Sequence, residues 1–235
     1  MLCAGICRCS YVWRTDGVIV FTDKFHFQAW KQIADKNGIY FDEEINNRLR
    51  GVSRRESLEI ILERYTGAPL TEEQKAAMAE EKNEIYKELL KKMSPEDVTR
   101  EVRDTLAELR ARGYRLSLGS SSKNAKFILS QVGLTDAFDA ISDGTNITNS
   151  KPDAEVFLKA AEFLGLHPEE CAVVEDAYAG IDAAKAGNML AIAIGDATNY
   201  ERSDYKIDSF KNLLEIEEIT VTGEKAKGSA SSVIK

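Results

Sequence analysis

The 235-residue chain is 43% hydrophobic and 30% charged, a balance that suits a soluble globular protein with one substantial core and space for a second, small domain. A net charge of −8 argues against the broad basic surface that nucleic acid requires, and no apolar run approaches the ~20 residues that cross a bilayer. The opening residues 1–10 are too short and too polar for a secretory h-region, so the expectation is a cytoplasmic protein with neither nucleic-acid nor membrane partners.

Cys3, Cys7 and Cys9 crowd the start and Cys171 lies far from them. No second Cys or His pair stands at ligand spacing, so reduced, partly buried thiols are expected rather than zinc. The first element is a strand, Tyr11-Val12-Trp13, running into the polar turn Arg14-Thr15-Asp16-Gly17. Phe27, Trp30, Ile33 and Ala34 then recur at helix spacing and stop at Asn37-Gly38. A second helix is expected over about 42–49. Ser53 and Glu56 make a capping box that opens a third, with Leu58, Ile61, Leu62 and Tyr65 on one side. Thr71 and Gln74 make another and start a long charged helix that reaches toward Lys92. No strand candidate interrupts 23–93.

Ser94-Pro95 restarts the chain, and from there helices and strands alternate. A helix carrying Val98, Val102, Leu106 and Leu109 ends at Gly113, and a strand over 114–118 follows. Next come a Gly-Ser-rich turn, a helix over 124–132, a strand at Ala140-Ile141, a helix over 154–164 and a strand over 171–174. A helix over 180–186 and a strand over 190–194 close the series. Such alternation means a parallel sheet covered by helices on both faces. The fold class is therefore α/β: a Rossmann-like parallel-sheet core, residues 1–22 and 94–222, with an inserted all-helical cap, residues 23–93. Residues 223–235 are polar and small, the composition of a frayed tail.

In an open parallel sheet the site lies at the carboxyl ends of the strands. The segments that follow the strands here are Arg14-Thr15-Asp16-Gly17, then Gly119-Ser120-Ser121-Ser122-Lys123-Asn124, then Glu175-Asp176. Lys151-Pro152 stands before a helix. Hydroxyls and backbone N–H groups at a helix start bind phosphate, a lysine neutralises it, and adjacent carboxylates suit a hard divalent cation. Alone, each segment reads as an ordinary cap or a solvated pair; together, in this order at strand ends, they point to phosphoryl transfer.

The order and wording of these motifs resemble the haloacid-dehalogenase-like superfamily and, within it, the β-phosphoglucomutase group, from about Ser10 to Ile207. That family opens on Asp-x-Asp-Gly, the first Asp being the nucleophile that becomes an aspartyl phosphate and the second the general acid/base. The second falls on Asp16; the first falls on Arg14. By the same resemblance Ser120 and Lys151 hold the transferring phosphate, and Asp16, Glu175 and Asp176 form a Mg²⁺ site. The cap matches too: His26 and Trp30 fit a His-x-x-x-Trp on the first cap helix. Gly51, Val52, Ser53 and Arg54 fit a turn that contacts the non-transferring phosphate, with Arg50 at a basic position before it. Ser122, Lys123 and Asn124 fit a Ser-Lys-Asn that helps bind substrate phosphate. Read as residues alone, His26 and Trp30 suit a packed helix face and Arg54 a solvated cap.

Arg14 departs from that pattern. A guanidinium stays protonated and cannot attack phosphorus as a carboxylate does. At ~4 Å and an effective dielectric of ~20 its repulsion of a divalent cation is on the order of 8 kcal/mol before screening. The resemblance thus implies a monomeric phosphotransferase that interconverts β-glucose 1-phosphate and glucose 6-phosphate with Mg²⁺, its covalent step absent or severely reduced by Arg14. The alternatives are a sugar-phosphate phosphatase of the same fold and a catalytically silent sugar-phosphate binder.

Overall fold

The computed structural model describes residues 10–13, 17–50 and 52–216. Arg14, Thr15, Asp16, Gly51, the three N-terminal cysteines and the expected tail lie outside the described residues.

Six strands pair in parallel throughout, in the order β3-β2-β1-β4-β5-β6. They are β1 (Ser10–Trp13), β2 (Leu116–Gly119), β3 (Ala140–Ser142), β4 (Cys171–Glu175), β5 (Leu190–Ile194) and β6 (Tyr205–Ile207). The central strands β1 and β4 are buried at every residue, as expected of apolar runs covered on both faces. Helices α1 (Asp23–Lys36), α2 (Glu43–Arg48), α3 (Arg54–Leu62) and α4 (Glu72–Leu90) lie between β1 and β2. The later helices are α5 (Arg100–Ala111), α6 (Ala125–Gln131), α7 (Glu155–Leu164) and α8 (Tyr178–Ala186).

Successive strand residues point to opposite faces, and the two cores divide accordingly. Trp13, Leu116 and Leu118 pack on Leu106, Leu109 and Ile128 of α5 and α6. Val12 and Val173 pack on Phe157 and Ile181 of α7 and α8. A third cluster belongs to the helical insertion: Trp30, Ile33 and Ala34 of α1 meet Ile45, Leu58, Ile61 and Met78. Both expected capping boxes form. Ser53 Oγ accepts from Glu56 N at 3.2 Å while Ser53 N donates to the Glu56 carboxylate at 2.8 Å. Thr71 and Gln74 do the same.

The strand expected over 114–118 lies two residues later. Tyr114 N donates to Leu109 O and closes α5, so the chain joins the sheet only from Arg115, whose carbonyl accepts from Tyr11 N at 3.1 Å. Strand β6 has no counterpart among the expected elements; three residues are too few to show a period. Cys171 is buried in β4.

Candidate active site

The described residues of each segment singled out in the sequence lie at the carboxyl edge of the sheet or in the helices facing it. β1 leads toward residues 14–16, which lie outside the described residues, and the chain is described again from Gly17, whose φ of +80° favours glycine. A Cβ there would lie 1.9 Å from Asp176 Oδ2, so only glycine lets the Asp176 carboxylate lie against this turn. β4 ends at Glu175, and Gly180 of α8 plays a similar part: its Cβ would stand 2.0 Å from the Glu175 carboxyl carbon. The first turn of α8 therefore closes directly over that carboxylate.

Glu175 and Lys151 form an ion pair with side chains 0% and 2% exposed. The other Glu175 oxygen accepts from Asp176 N and Ala177 N, both at 3.1 Å. Lys151 Nζ also donates to Gly119 O at 3.4 Å and sits over the Phe157 ring at 4.4 Å. The lysine before α7 is thereby held against the end of β2. There Ser120 N donates to Ser142 O at 2.9 Å, and Ser120 Oγ accepts from Ser122 N at 3.2 Å. Ser122 Oγ in turn accepts from Asn124 N at 3.1 Å, at the start of α6. Ser120 and Asn124 are buried and Lys123 is exposed.

The expected metal ligands differ in their surroundings. Both Glu175 oxygens are engaged by Lys151 and the following backbone, so Glu175 braces the loop. Asp176 borders a second cavity of about 150 Å³ with Gly17, Asp23, Arg50 and Asp196. Among the described residues no three acidic, His or Cys side chains cluster as a metal-binding group, Asp16 being outside them. The oxygen donors of Asp176 and Glu175 still match a hard divalent cation in chemistry.

Across the cleft, His26 Nδ1 lies 2.8 Å from Lys82 Nζ, and its ring packs tilted by 32° against Tyr86, with centroids 4.1 Å apart. Lys82 is 2% exposed, with its ammonium 5.0 Å from the Trp30 ring centroid and 4.5 Å from that of Tyr86. With Lys82 as an ammonium, which only donates, His26 Nδ1 is the acceptor of this pair. Tyr86 OH bonds Thr22 Oγ1 at 3.1 Å, anchoring α4 beside the start of α1. Trp30 is 2% exposed and belongs to the cap core while also lining the cavity.

Arg54, at the start of α3, donates to Glu80 at 3.1 Å and to Asn83 Oδ1 at 2.8 Å. Burial pulls its guanidinium below the usual value, with Glu80 opposing. Arg50 does not join it. Its two terminal nitrogens go to Asp196 at 2.7 Å and Asp23 at 3.1 Å, a bridge from cap to core. Burial works against that charge, but Asp23 and Asp196 outweigh it and raise its pKa. Between cap and core lies a cavity of about 790 Å³, which brings Arg54, Lys82 and Asn83 together with Ser120, Lys123 and Lys151. Val52, Ser53, Ser122, Asn124, His26 and Arg50 also reach its wall.

Lys82 and Asn83 escaped sequence reasoning because they sit in a helix that reads as charged throughout. A signal was present: Met78, Lys82, Tyr86 and Leu90 recur every four residues and are all buried, so Lys82 interrupts an apolar stripe.

Known proteins resemble this chain in sequence and fold. The family model of haloacid dehalogenase-like hydrolases matches residues 15–188, beginning directly after Arg14. The chain is 41% identical over 192 residues, 79% of its length and 83% of the relative, to a β-phosphoglucomutase of Bacillus subtilis. It is 30% identical over 182 residues, 77% of the chain and 82% of the relative, to a phosphorylated carbohydrates phosphatase of Thermotoga maritima. The crystal structure of a β-phosphoglucomutase from Clostridium difficile superposes with a TM-score of 0.81 at 36% identity, covering 87% of this chain and 92% of that one. With family model, relative and solved structure agreeing, the chain belongs to the haloacid dehalogenase-like hydrolase family and, within it, to the β-phosphoglucomutase group.

Proposed function

We propose that the chain is built to bind a hexose phosphate between core (1–22 and 94–222) and cap (23–93) and to move its phosphoryl group, as a β-phosphoglucomutase does. The observation that carries this reading is the shared cavity: cationic and hydroxyl groups of the core, Lys151 and Ser120, border the same space as Arg54 and Lys82 of the cap. Two phosphates on one sugar need two separated cationic seats, and cations on both walls of one cavity support that arrangement.

In this reading Ser120 and Lys151 hold the transferring phosphate, Lys151 being aimed by Glu175 and Gly119 O. Arg54, with Ser122, Lys123 and Asn124 opposite, holds the distal phosphate, for which a guanidinium fork is suited. Asp16 moves the proton of the sugar hydroxyl. Asp16, Glu175 and Asp176 would hold Mg²⁺, which when bound offsets the phosphate charge. Cap closure keeps water from the reacting group, which separates transfer to sugar from hydrolysis.

Arg14 cannot supply a nucleophilic carboxylate, so the reading for the chain as it stands is a site that binds sugar phosphate and turns it over poorly or not at all. The phosphatase at 30% identity keeps hydrolysis as the second reading. A coupled assay with β-glucose 1-phosphate and Mg²⁺, run beside a phosphate-release assay and calorimetric binding of glucose 6-phosphate, tests all three. No binding of the hexose phosphate would overturn the proposal.

A further inference from the structure

Four polar groups, three of the cap and one of the core, form one chain of hydrogen bonds. Asn83, 5% exposed, receives Arg54 Nη2 on its carbonyl oxygen at 2.8 Å, and the same oxygen receives Asn124 Nδ2 at 3.0 Å. The Asn83 amide nitrogen donates to Glu80 at 3.2 Å, and the other Glu80 oxygen accepts from Arg54 Nη1 at 3.1 Å. A carboxylate accepts only, so the Asn83 nitrogen must face Glu80 and its oxygen must face Arg54 and Asn124. One orientation of the amide satisfies every member.

Arg54 opens α3 and Asn83 lies on α4, both in the cap, whereas Asn124 precedes α6 in the core. One carbonyl oxygen therefore gathers a donor from each side of the cleft. Both donors border the cavity, and both are groups that the proposed function assigns to the distal phosphate. Two donors that share one acceptor lie within a few ångströms of each other, so the Arg54 and Asn124 side chains meet across the cleft.

We propose that Asn83 is a positioning residue of the distal-phosphate seat, whose carbonyl draws Arg54 of the cap and Asn124 of the core together so that the seat is complete only with the cap on the core. Glu80 holds the far side of the guanidinium and sets the amide's orientation. A sugar lacking the distal phosphate gains nothing from this device; a phosphosugar gains affinity through it. The inference rests on reading Arg54 as a phosphate holder.

The test is calorimetric titration of the full chain with glucose 6-phosphate. Asn83→Leu keeps the bulk and removes the carbonyl; Asn83→Ser, too short to reach Arg54, serves if the first variant does not fold. Loss of a hydrogen bond that orients a charged group predicts affinity about tenfold weaker for either variant. Because Asn83 acts through Arg54, the same change made in an Arg54→Ala background should weaken binding less than about twofold further. An unchanged affinity in the native background, or an undiminished effect in the Arg54→Ala background, overturns the role of Asn83 while leaving the site reading intact. If Arg54→Ala alone leaves the affinity unchanged, the site reading falls, and this inference with it.

Discussion

Lys151 and Glu175 form an ion pair with side chains 2% and 0% exposed, joining the loop before α7 to the end of β4 beneath the cavity. Burying two charges costs several kcal/mol each, offset only because Glu175 also receives two backbone N–H groups and Lys151 a carbonyl. Removing one partner leaves the other charged and buried. Lys151→Met should lower unfolding stability by about 3–5 kcal/mol, whereas Lys151→Met/Glu175→Gln should lose less than the sum of the single changes. Urea denaturation of the four proteins measures this; additive losses would show that the two groups do not interact.

Arg50 and Arg54, four residues apart, face different partners. Arg50 spans Asp23 and Asp196, and Asp196 is 79% exposed, so the bridge is a solvated one of about 0–1 kcal/mol. With its charge taken by two carboxylates, Arg50→Ala should change glucose 6-phosphate affinity by less than about threefold. Arg54→Ala should weaken it by more than about tenfold. Equal losses in calorimetry would return Arg50 to the substrate.

The α/β core and the helical insertion were legible because their signals are local. Apolar strands, capping boxes at Ser53 and Thr71 and stops at Gly38 and Gly113 are written within a few residues. Ser120 was legible at a strand end and Lys151 before a helix, and both border the cavity. What stayed hidden depends on residues far apart in the chain. Asn83 meets Asn124 across 41 positions and Arg50 meets Asp196 across 146, and no periodicity encodes such a meeting. Strand β6 is too short to announce itself, and β2 starts late because the Tyr114 N–H is spent on closing α5.

Asp42 caps α2, accepting from Ile45 N at 2.9 Å and from Tyr40 OH at 2.7 Å. These bonds, the backbone one first, hold its pKa below the ordinary 3.8. A carboxyl with a lowered folded value stabilises the fold fully above the unfolded value and loses that contribution as pH falls through the folded one. Asp42→Asn should therefore lower the thermal midpoint near neutrality, with the gap to the native chain narrowing below about pH 4. A gap that stays constant from pH 7 to pH 3 would rule out the carboxylate charge as its source.

Arg14 bears on turnover more than any other residue, because every other group in the proposed reaction assists a carboxylate that is not there. Arg14→Asp replaces a cation with a nucleophilic carboxylate and removes a repulsion toward Mg²⁺ on the order of 8 kcal/mol at ~4 Å. The variant should raise kcat by at least about 10³-fold in the coupled assay, since nucleophile loss alone costs enzymes that much or more. Chelation of Mg²⁺ should abolish the gain, and adding Asp16→Asn should return the chain to the background rate by removing the proton carrier. Full activity of the Arg14 chain would show that position 14 does not supply the nucleophile. Tight binding of glucose 6-phosphate with no gain in the variant would mean that the remaining phosphate contacts are held out of line with the carboxylate introduced at position 14, a defect of geometry rather than of chemistry. The ratio of glucose 6-phosphate formed to phosphate released by the variant then separates the two readings of the fold: a cap that excludes water passes the phosphoryl group to sugar, and one that admits it releases phosphate.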